Sequence, residues 1–385
     1  VVVYLDNSST SPVDPDVIKI MEKVMRELYG NPASLHSVGQ RAERVVAAAK
    51  EKIAQELYCD VCEVILTSGG TESNNLAIQG LAFRYARTGK HLITTKIEHP
   101  SVIEVFRTLE RQGFSVTYLD VDVYGRVLAK DLAEAIRPDT ILFSIAHVNN
   151  ELGVVQPIEQ LGEVVRSFPN LHFHVDAVQS FAKIVLKPAK YNIALLTISA
   201  HKFSGPQGIG ALYKRKNLHL KPLFFGGGET LRPGTVPVAI VAGMAQALLL
   251  AQKRRVSFWE SSLKWRELLL AQWKSSLKHW NLNGDVNNTV PYIINLSFKG
   301  LKSEVIVHAL AEKGLIISNR AACSSKRDQN RVVLALGASK EVAEGALRIS
   351  FGYQTKLHDI LVCARLFEQV ILELQQLSGL AFKRG

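Results

Sequence analysis

The sequence predicts an α/β protein in which a large domain, built on a mostly parallel sheet flanked by helices, is joined to a smaller α+β domain. Three observations carry this. Helical and strand periods alternate from about position 14 to 213. The strand segments are continuous apolar and β-branched runs, as a sheet buried on both faces requires. After a glycine cluster at 226–228 the pattern becomes a long amphipathic helical stretch followed by short mixed elements.

Taken in order, Val1-Val2-Val3-Tyr4-Leu5-Asp6 reads as a short strand ending in a turn. It lacks the basic and long apolar regions of a signal peptide. Helices are expected over 16–27, 39–57, 71–85, 100–111 and 158–167. Strands are expected over 64–67, 91–95, 115–120, 140–146, 172–176 and 195–199. The stretch 239–280 is helix-rich. Strands over 291–297, 316–318 and 346–350 then alternate with helices over 303–313 and 330–336, and a helix over 358–377 closes the chain. The expected division is a large domain over 14–256 and a smaller one made of 1–13 with 257–385. Small-molecule sites in parallel α/β sheets lie at the carboxyl ends of the strands, and the chemically distinctive motifs fall mostly there.

Bulk properties narrow the classes. A chain of 385 residues that is 47% hydrophobic has material for a large core. No apolar run is long enough to cross a bilayer. The net charge of +11 gives a field that attracts anions. Its Lys and Arg are scattered rather than clustered with aromatics, which argues against a nucleic-acid binder. Four cysteines in so long a chain do not make a disulfide scaffold, so a reducing, cytoplasmic compartment is expected. Cys59-Asp60-Val61-Cys62 has redox or metal spacing but no second pair and no histidine cluster nearby, and reads as a loop.

Ser199-Ala200-His201-Lys202 ends an apolar strand before a Gly-Pro break. A lysine in a pocket at a strand end loses its proton more easily than one in water, and a neutral amine is what forms a Schiff base. A surface turn is the alternative. His174-Val175-Asp176-Ala177-Val178-Gln179 ends another strand. Asp176 suits the acidic partner that a pyridoxal-phosphate ring nitrogen needs, and equally a helix N-cap. Gln179 suits the ring's phenolic oxygen. Thr67-Ser68-Gly69-Gly70-Thr71-Glu72 follows a strand and opens a helix, where glycines and free N–H groups cradle a phosphate. It lacks the Gly-Lys-Ser/Thr of a nucleotide P-loop, and a capping box fits its Glu spacing as well. His99 in Glu98-His99-Pro100 suits ring stacking and proton movement. Asn149-Asn150-Glu151 follows the strand over 140–146, where a polar turn is the alternative. Arg348 is a cation inside an apolar strand, so it must be paired, either with a substrate carboxylate or in a structural salt bridge. Cys323 lies in a small, polar, basic run with Arg320 and Lys326, which favour its thiolate.

Together and in this order these motifs resemble the cysteine desulfurases of the NifS/IscS type, in the aminotransferase class V branch of the fold-type I pyridoxal-phosphate enzymes. The resemblance runs nearly end to end. It includes Tyr4-Leu5-Asp6-Asn7, Gly30-Asn31-Pro32-Ala33-Ser34, Gly69-Gly70-Thr71-Glu72-Ser73-Asn74, Arg232-Pro233-Gly234-Thr235 and Arg348-Ile349-Ser350-Phe351-Gly352. It implies that Lys202 carries pyridoxal 5'-phosphate and acts as base at Cα. It implies that Asp176, Gln179 and His99 hold the ring. Gly70, Thr71, Ser199 and His201 would bind the phosphate, with Thr235 reaching across from a second subunit of a homodimer. Asn149 and Arg348 would hold the carboxylate of L-cysteine. Cys323 would receive the sulfur as a persulfide, for delivery to a sulfur-acceptor or iron–sulfur scaffold protein. The sequence departs from the resembled pattern in three places. Asn319-Arg320-Ala321-Ala322 precedes Cys323, the stretch 228–232 is short, and Ser8-Ser9 stands where an alanine pair is usual. Selenocysteine lyase, another lyase or transaminase on the same scaffold, and a non-catalytic iron–sulfur assembly scaffold are the rival readings.

Overall fold

The computed structural model describes residues 2–226, 231–319 and 330–378. Among these, seven strands form the main sheet in the order Val64–Thr67, Gly210–Lys214, Leu195–Ser199, His172–Asp176, Thr140–Ala146, His91–Thr95, Ser115–Leu119. All are parallel except Gly210–Lys214, which runs antiparallel to both neighbours. Successive residues of a strand face opposite sides of the sheet. Leu92, Leu142 and Leu195 therefore pack with Leu76, Leu81 and Phe106 of the helices Gly70–Tyr85 and Pro100–Arg111. Ile93, Phe143 and Leu196 join the opposite core, with Ile53 of Ser37–Leu57 and Leu248 of the helix Val238–Ser276.

The strand Gly210–Lys214 and the helix Ala129–Ala135 go beyond the sequence expectation. The strand is five residues long and opens on a glycine, so it carries little pattern of its own. That glycine is required by packing: a Cβ on Gly210 would lie 2.5 Å from the Ile198 carbonyl oxygen and 2.8 Å from Gly69 Cα. The close approach fixes the turn at Gly69 against the end of the strand that leads to Lys202.

The second core lies around a three-stranded antiparallel sheet, ordered Ala346–Ser350, Ile293–Phe298, Trp280–Leu282. The helices Ser303–Glu312 and Leu357–Leu377 cover it, burying Ile306, Phe367 and Ile371 against Leu296 and Leu347. Val238–Ser276 is one continuous helix of 39 residues. Its first half feeds the large core through Val241, Met244 and Ala251, and its second half feeds the smaller one through Phe258, Leu269 and Trp273. The expected division between 256 and 257 falls inside this helix. At the other end of the chain, Val3–Tyr4 pairs in parallel with Leu315–Ile316, and Val3 and Leu5 are buried in the second core.

Candidate active site

The carboxyl ends of the main-sheet strands open into a cavity of about 140 Å³. The strand His172–Asp176 delivers Asp176, which is 6% exposed. Its Oδ1 accepts from the Val178 amide at 3.0 Å, and its Oδ2 accepts from Asn74 Nδ2 at 2.8 Å. Burial raises its carboxyl above the usual range, while these two hydrogen bonds and the Lys202 charge oppose that rise. A cation at this carboxylate is what would offset its desolvation.

The neighbouring strand Leu195–Ser199 runs into a single 3-10 turn, Ala200–Lys202. Ser199, His201 and Lys202 all line the cavity. Lys202 Nζ donates to the carbonyls of Ser8 at 2.5 Å and Ser9 at 2.6 Å. His201 Nδ1 lies 3.1 Å from Thr10 Oγ1, and burial followed by the Lys202 charge pushes its ring down to about 3.

Gly70 and Thr71 line the cavity at the start of the helix Gly70–Tyr85. Gly69 before them has φ +148°, which favours glycine. A Cβ on Gly70 would meet Val178 Cγ2 at 2.9 Å. Free N–H groups at a helix start attract an anion. Glu72 lies in the same turn but outside this cradle, accepting from the Ser68 amide at 2.7 Å and from Arg232 Nε at 3.1 Å.

His99 caps the helix Pro100–Arg111. Its Nδ1 accepts from the Ser101 amide at 3.1 Å, which leaves the proton of the neutral ring on Nε2. Burial first, then the Lys202 charge, lowers the ring to about 4, so it is neutral at pH 7. Behind it Glu98 is fully buried and accepts from Thr95 Oγ1 at 2.7 Å. Burial raises its carboxyl to about 8.

The opposite wall comes from the small sheet. Arg348, on the strand Ala346–Ser350, is 1% exposed and lines the cavity. It is paired within the chain: Nη2 donates to Asp6 Oδ1 and Ser9 Oγ, each at 2.7 Å, and Nη1 donates to the Asn150 carbonyl at 2.9 Å. The salt bridge raised as an alternative for Arg348 is thus present, and the residue still faces the cavity.

Asn149 is corrected. Its Nδ2 donates to the Ile97 carbonyl and its Oδ1 accepts from the Glu151 and Leu152 amides, so its side chain holds the turn and is not on the cavity wall. Asn150 lines the cavity in its place. Thr235 is exposed and away from the cavity wall. Cys323, with Arg320 and Lys326, lies outside the described residues. The chain reaches that stretch from Ser318, which exchanges backbone hydrogen bonds with Arg348 at 3.1 and 2.6 Å. Cys59 is packed against the large core, and burial followed by Glu63 and Asp60 pushes its thiol up to about 12.

Sequence reasoning passed over Asn74, Ser101, Ser8 and Ser9 as site residues, yet all line the cavity. Asn74 was legible: it lies one helical turn from Gly70 and faces the same way.

The residues fit pyridoxal phosphate. Gln179 Oε1, Asn74 Oδ1 and Arg348 Nε are buried without a protein partner, and all three side chains line the cavity. Buried polar atoms left without partners are costly, so a polar ligand suits them. The buried Asp176 and the small-residue turn at Gly69 and Gly70 suit a ring cation and a phosphate.

The aminotransferase class-V family model matches residues 3–362. The chain belongs to the aminotransferase class-V family. Curated relatives in it are similar over nearly their whole length. "Cysteine desulfurase IscS" of Vibrio cholerae is 42% identical, covering 98% of this chain and 95% of that protein. The protein of the same name from Dictyoglomus turgidum is 38% identical, covering 98% and 96%. Among solved structures, a "NifS-like protein" superposes with a TM-score of 0.91 at 31% identity, covering 97% of this chain and all of the other. One described as SspA in complex with cysteine superposes at 0.79 with 35% identity, covering 90% and 98%. Aminotransferase class-V membership accounts for the mostly parallel sheet with a small domain at its carboxyl edge.

Proposed function

We infer that the chain is a cysteine desulfurase. It takes sulfur from L-cysteine, leaves L-alanine, and passes the sulfur to Cys323 as a persulfide, for iron–sulfur cluster or other sulfur-cofactor biosynthesis. The observation that carries this reading is a single cavity that gathers a strand-end lysine, a buried aspartate, a neutral histidine and a buried arginine. Full-length similarity to relatives named cysteine desulfurase, and to a structure holding cysteine, supports the substrate.

Pyridoxal phosphate, when bound, holds the substrate nitrogen and stores the electron pair released at Cα. Asp176 would keep a proton on the ring nitrogen, with Asn74 and the Val178 amide holding its carboxylate in line. Gly70, Thr71, Ser199 and His201 would hold the phosphate, and Gln179 the phenolic oxygen. His99 would pack on the ring as a neutral imidazole. Lys202 Nζ would hold the cofactor at rest and then take the proton from Cα. Arg348 and Asn150 would orient the substrate carboxylate. The Cys323 thiolate attacks the substrate sulfur, forming an S–S bond as the C–S bond breaks, and the carbon product takes protons to become alanine. The exchange is redox-neutral: L-cysteine and an enzyme thiol give L-alanine and an enzyme persulfide.

The same reading includes a homodimer in which Thr235 serves the neighbouring subunit, and a sulfur-acceptor protein as partner. It also includes a cytoplasmic setting, where thiols stay reduced. Among the described residues Cys59, Cys62 and Cys363 are free thiols, and no helix is long and apolar enough to cross a membrane.

Cys323→Ser tests the reading. The variant is expected to bind pyridoxal phosphate with an unchanged visible band and to release no sulfide from L-cysteine in the presence of a reductant. Turnover at the wild-type rate would remove Cys323 from the mechanism.

A further inference from the structure

Ser9 meets both halves of the site. Its carbonyl accepts from Lys202 Nζ at 2.6 Å. Its hydroxyl donates to Asp6 Oδ1 at 3.0 Å and accepts from Arg348 Nη2 at 2.7 Å. With the Asp6–Arg348 bond of 2.7 Å these contacts close a triangle. Arg348 is 1% exposed, so the alignment of its guanidinium is set by these partners and not by water. Asp6 also competes for the same guanidinium with any carboxylate entering the cavity. A hydroxyl bonded to both members shares the Asp6 charge and fixes the Arg348 plane, which keeps the remaining donors, including the unpartnered Nε, available to the cavity. An alanine at position 9 provides neither bond.

We propose that Ser9 is a positioning residue for the substrate carboxylate, acting through Arg348 by way of the Asp6–Ser9–Arg348 triangle. The proposal rests on the reading of Arg348 as the carboxylate-binding residue. Ser9 thereby sets how well this chain discriminates amino acids from simple amines. It also links the carboxylate-binding wall to Lys202 through one residue.

The test compares wild-type and Ser9→Ala holoprotein in three measurements: steady-state kinetics with L-cysteine, spectral titration with the product L-alanine, and spectral titration with cysteamine and ethylamine, which lack the carboxylate. Loss of a hydrogen bond to a charged group predicts a rise of roughly tenfold in KM for L-cysteine and in Kd for L-alanine. The rise should outrun any fall in kcat. Affinity for the two amines should change by less than about twofold, because nothing in them reaches Arg348. Ser9→Thr, which keeps the hydroxyl, should restore the wild-type constants. Unchanged constants for cysteine and alanine would overturn the proposal, and so would an equal loss for the amines, which marks a general structural defect. If the wild-type protein releases no sulfide at all, the desulfurase reading fails. The alanine and ethylamine titrations still decide the role of Ser9.

Discussion

The two walls of the cavity are built differently. On the sheet side, Asp176, His99 and Lys202 lie at or just after the ends of three parallel strands of one sheet. Asp176 and His99 are held by nearby amides and by Asn74, while Lys202 reaches the Ser8 and Ser9 carbonyls of the N-terminal segment. On the small-domain side, Arg348 is held by Asp6, Ser9 and Asn150, which lie far away in the chain. Apart from the contacts of Lys202 and Gln179 with the N-terminal segment, one wall is assembled with the sheet. The other exists only once the N-terminal segment has packed beside Leu315–Ile316 and crossed to the Ser350 backbone. On the proposed reading, the difference separates two tasks of the site, holding the cofactor and choosing the substrate.

The largest expected effect is on the sheet side. Lys202→Ala should abolish the visible band formed with pyridoxal phosphate and lower sulfide release by at least about a hundredfold, the contribution of a positioned acid–base group. A variant that keeps the band and the rate would break the assignment of that wall to the cofactor.

The adjacent asparagines give a sharper division. Asn149→Ala removes three hydrogen bonds that hold the turn. It should lower folding stability by about 1–3 kcal/mol in a denaturant titration. Asn150→Ala should leave stability nearly unchanged and raise KM for L-cysteine, since the residue lines the cavity and, among the described residues, no hydrogen bond of its side chain holds the turn. The reverse pattern would return the substrate role to Asn149.

The remaining effects are pH slopes, of opposite sign. Burial raises Glu98 from 4.5 to about 8, so the folded protein keeps a proton that the unfolded chain releases. Between those values stability falls as pH rises. Burial, then the Lys202 charge, lowers Lys183 from 10.5 to about 7, so the unfolded chain binds a proton that the folded protein lacks. Stability therefore rises with pH from about 7 toward 10.5. Each slope is at most about 1.4 kcal/mol per pH unit. Thermal melts across pH should show Glu98→Gln flattening the lower window and Lys183→Met the upper one. Slopes that survive in the variants would assign them to other groups.

The same contrast explains what the sequence made legible. The main sheet followed from alternating periods and continuous apolar strands, and the sheet-side motifs were visible because each is local. The antiparallel strand Gly210–Lys214 was missed, since five residues opening on a glycine carry little periodicity. Asn149 and Asn150 are the same residue type, and only the turn geometry decides which side chain is spent on the backbone. Nothing in the sequence links Asp6 or Ser9 to Arg348 across more than three hundred residues. The substitution of Ser9 was visible as a departure from the resembled family, but its meaning needed the folded chain.

The central claim is tested most directly by the absorption spectrum of the purified protein loaded with pyridoxal phosphate, before and after L-cysteine with a reductant, with sulfide and alanine assayed together. The loaded protein should show a visible band that shifts on adding L-cysteine, followed by equal amounts of sulfide and alanine. A band that responds without sulfide would assign the cavity to another amino acid, and absence of any band after adding pyridoxal phosphate would contradict the role given to Lys202.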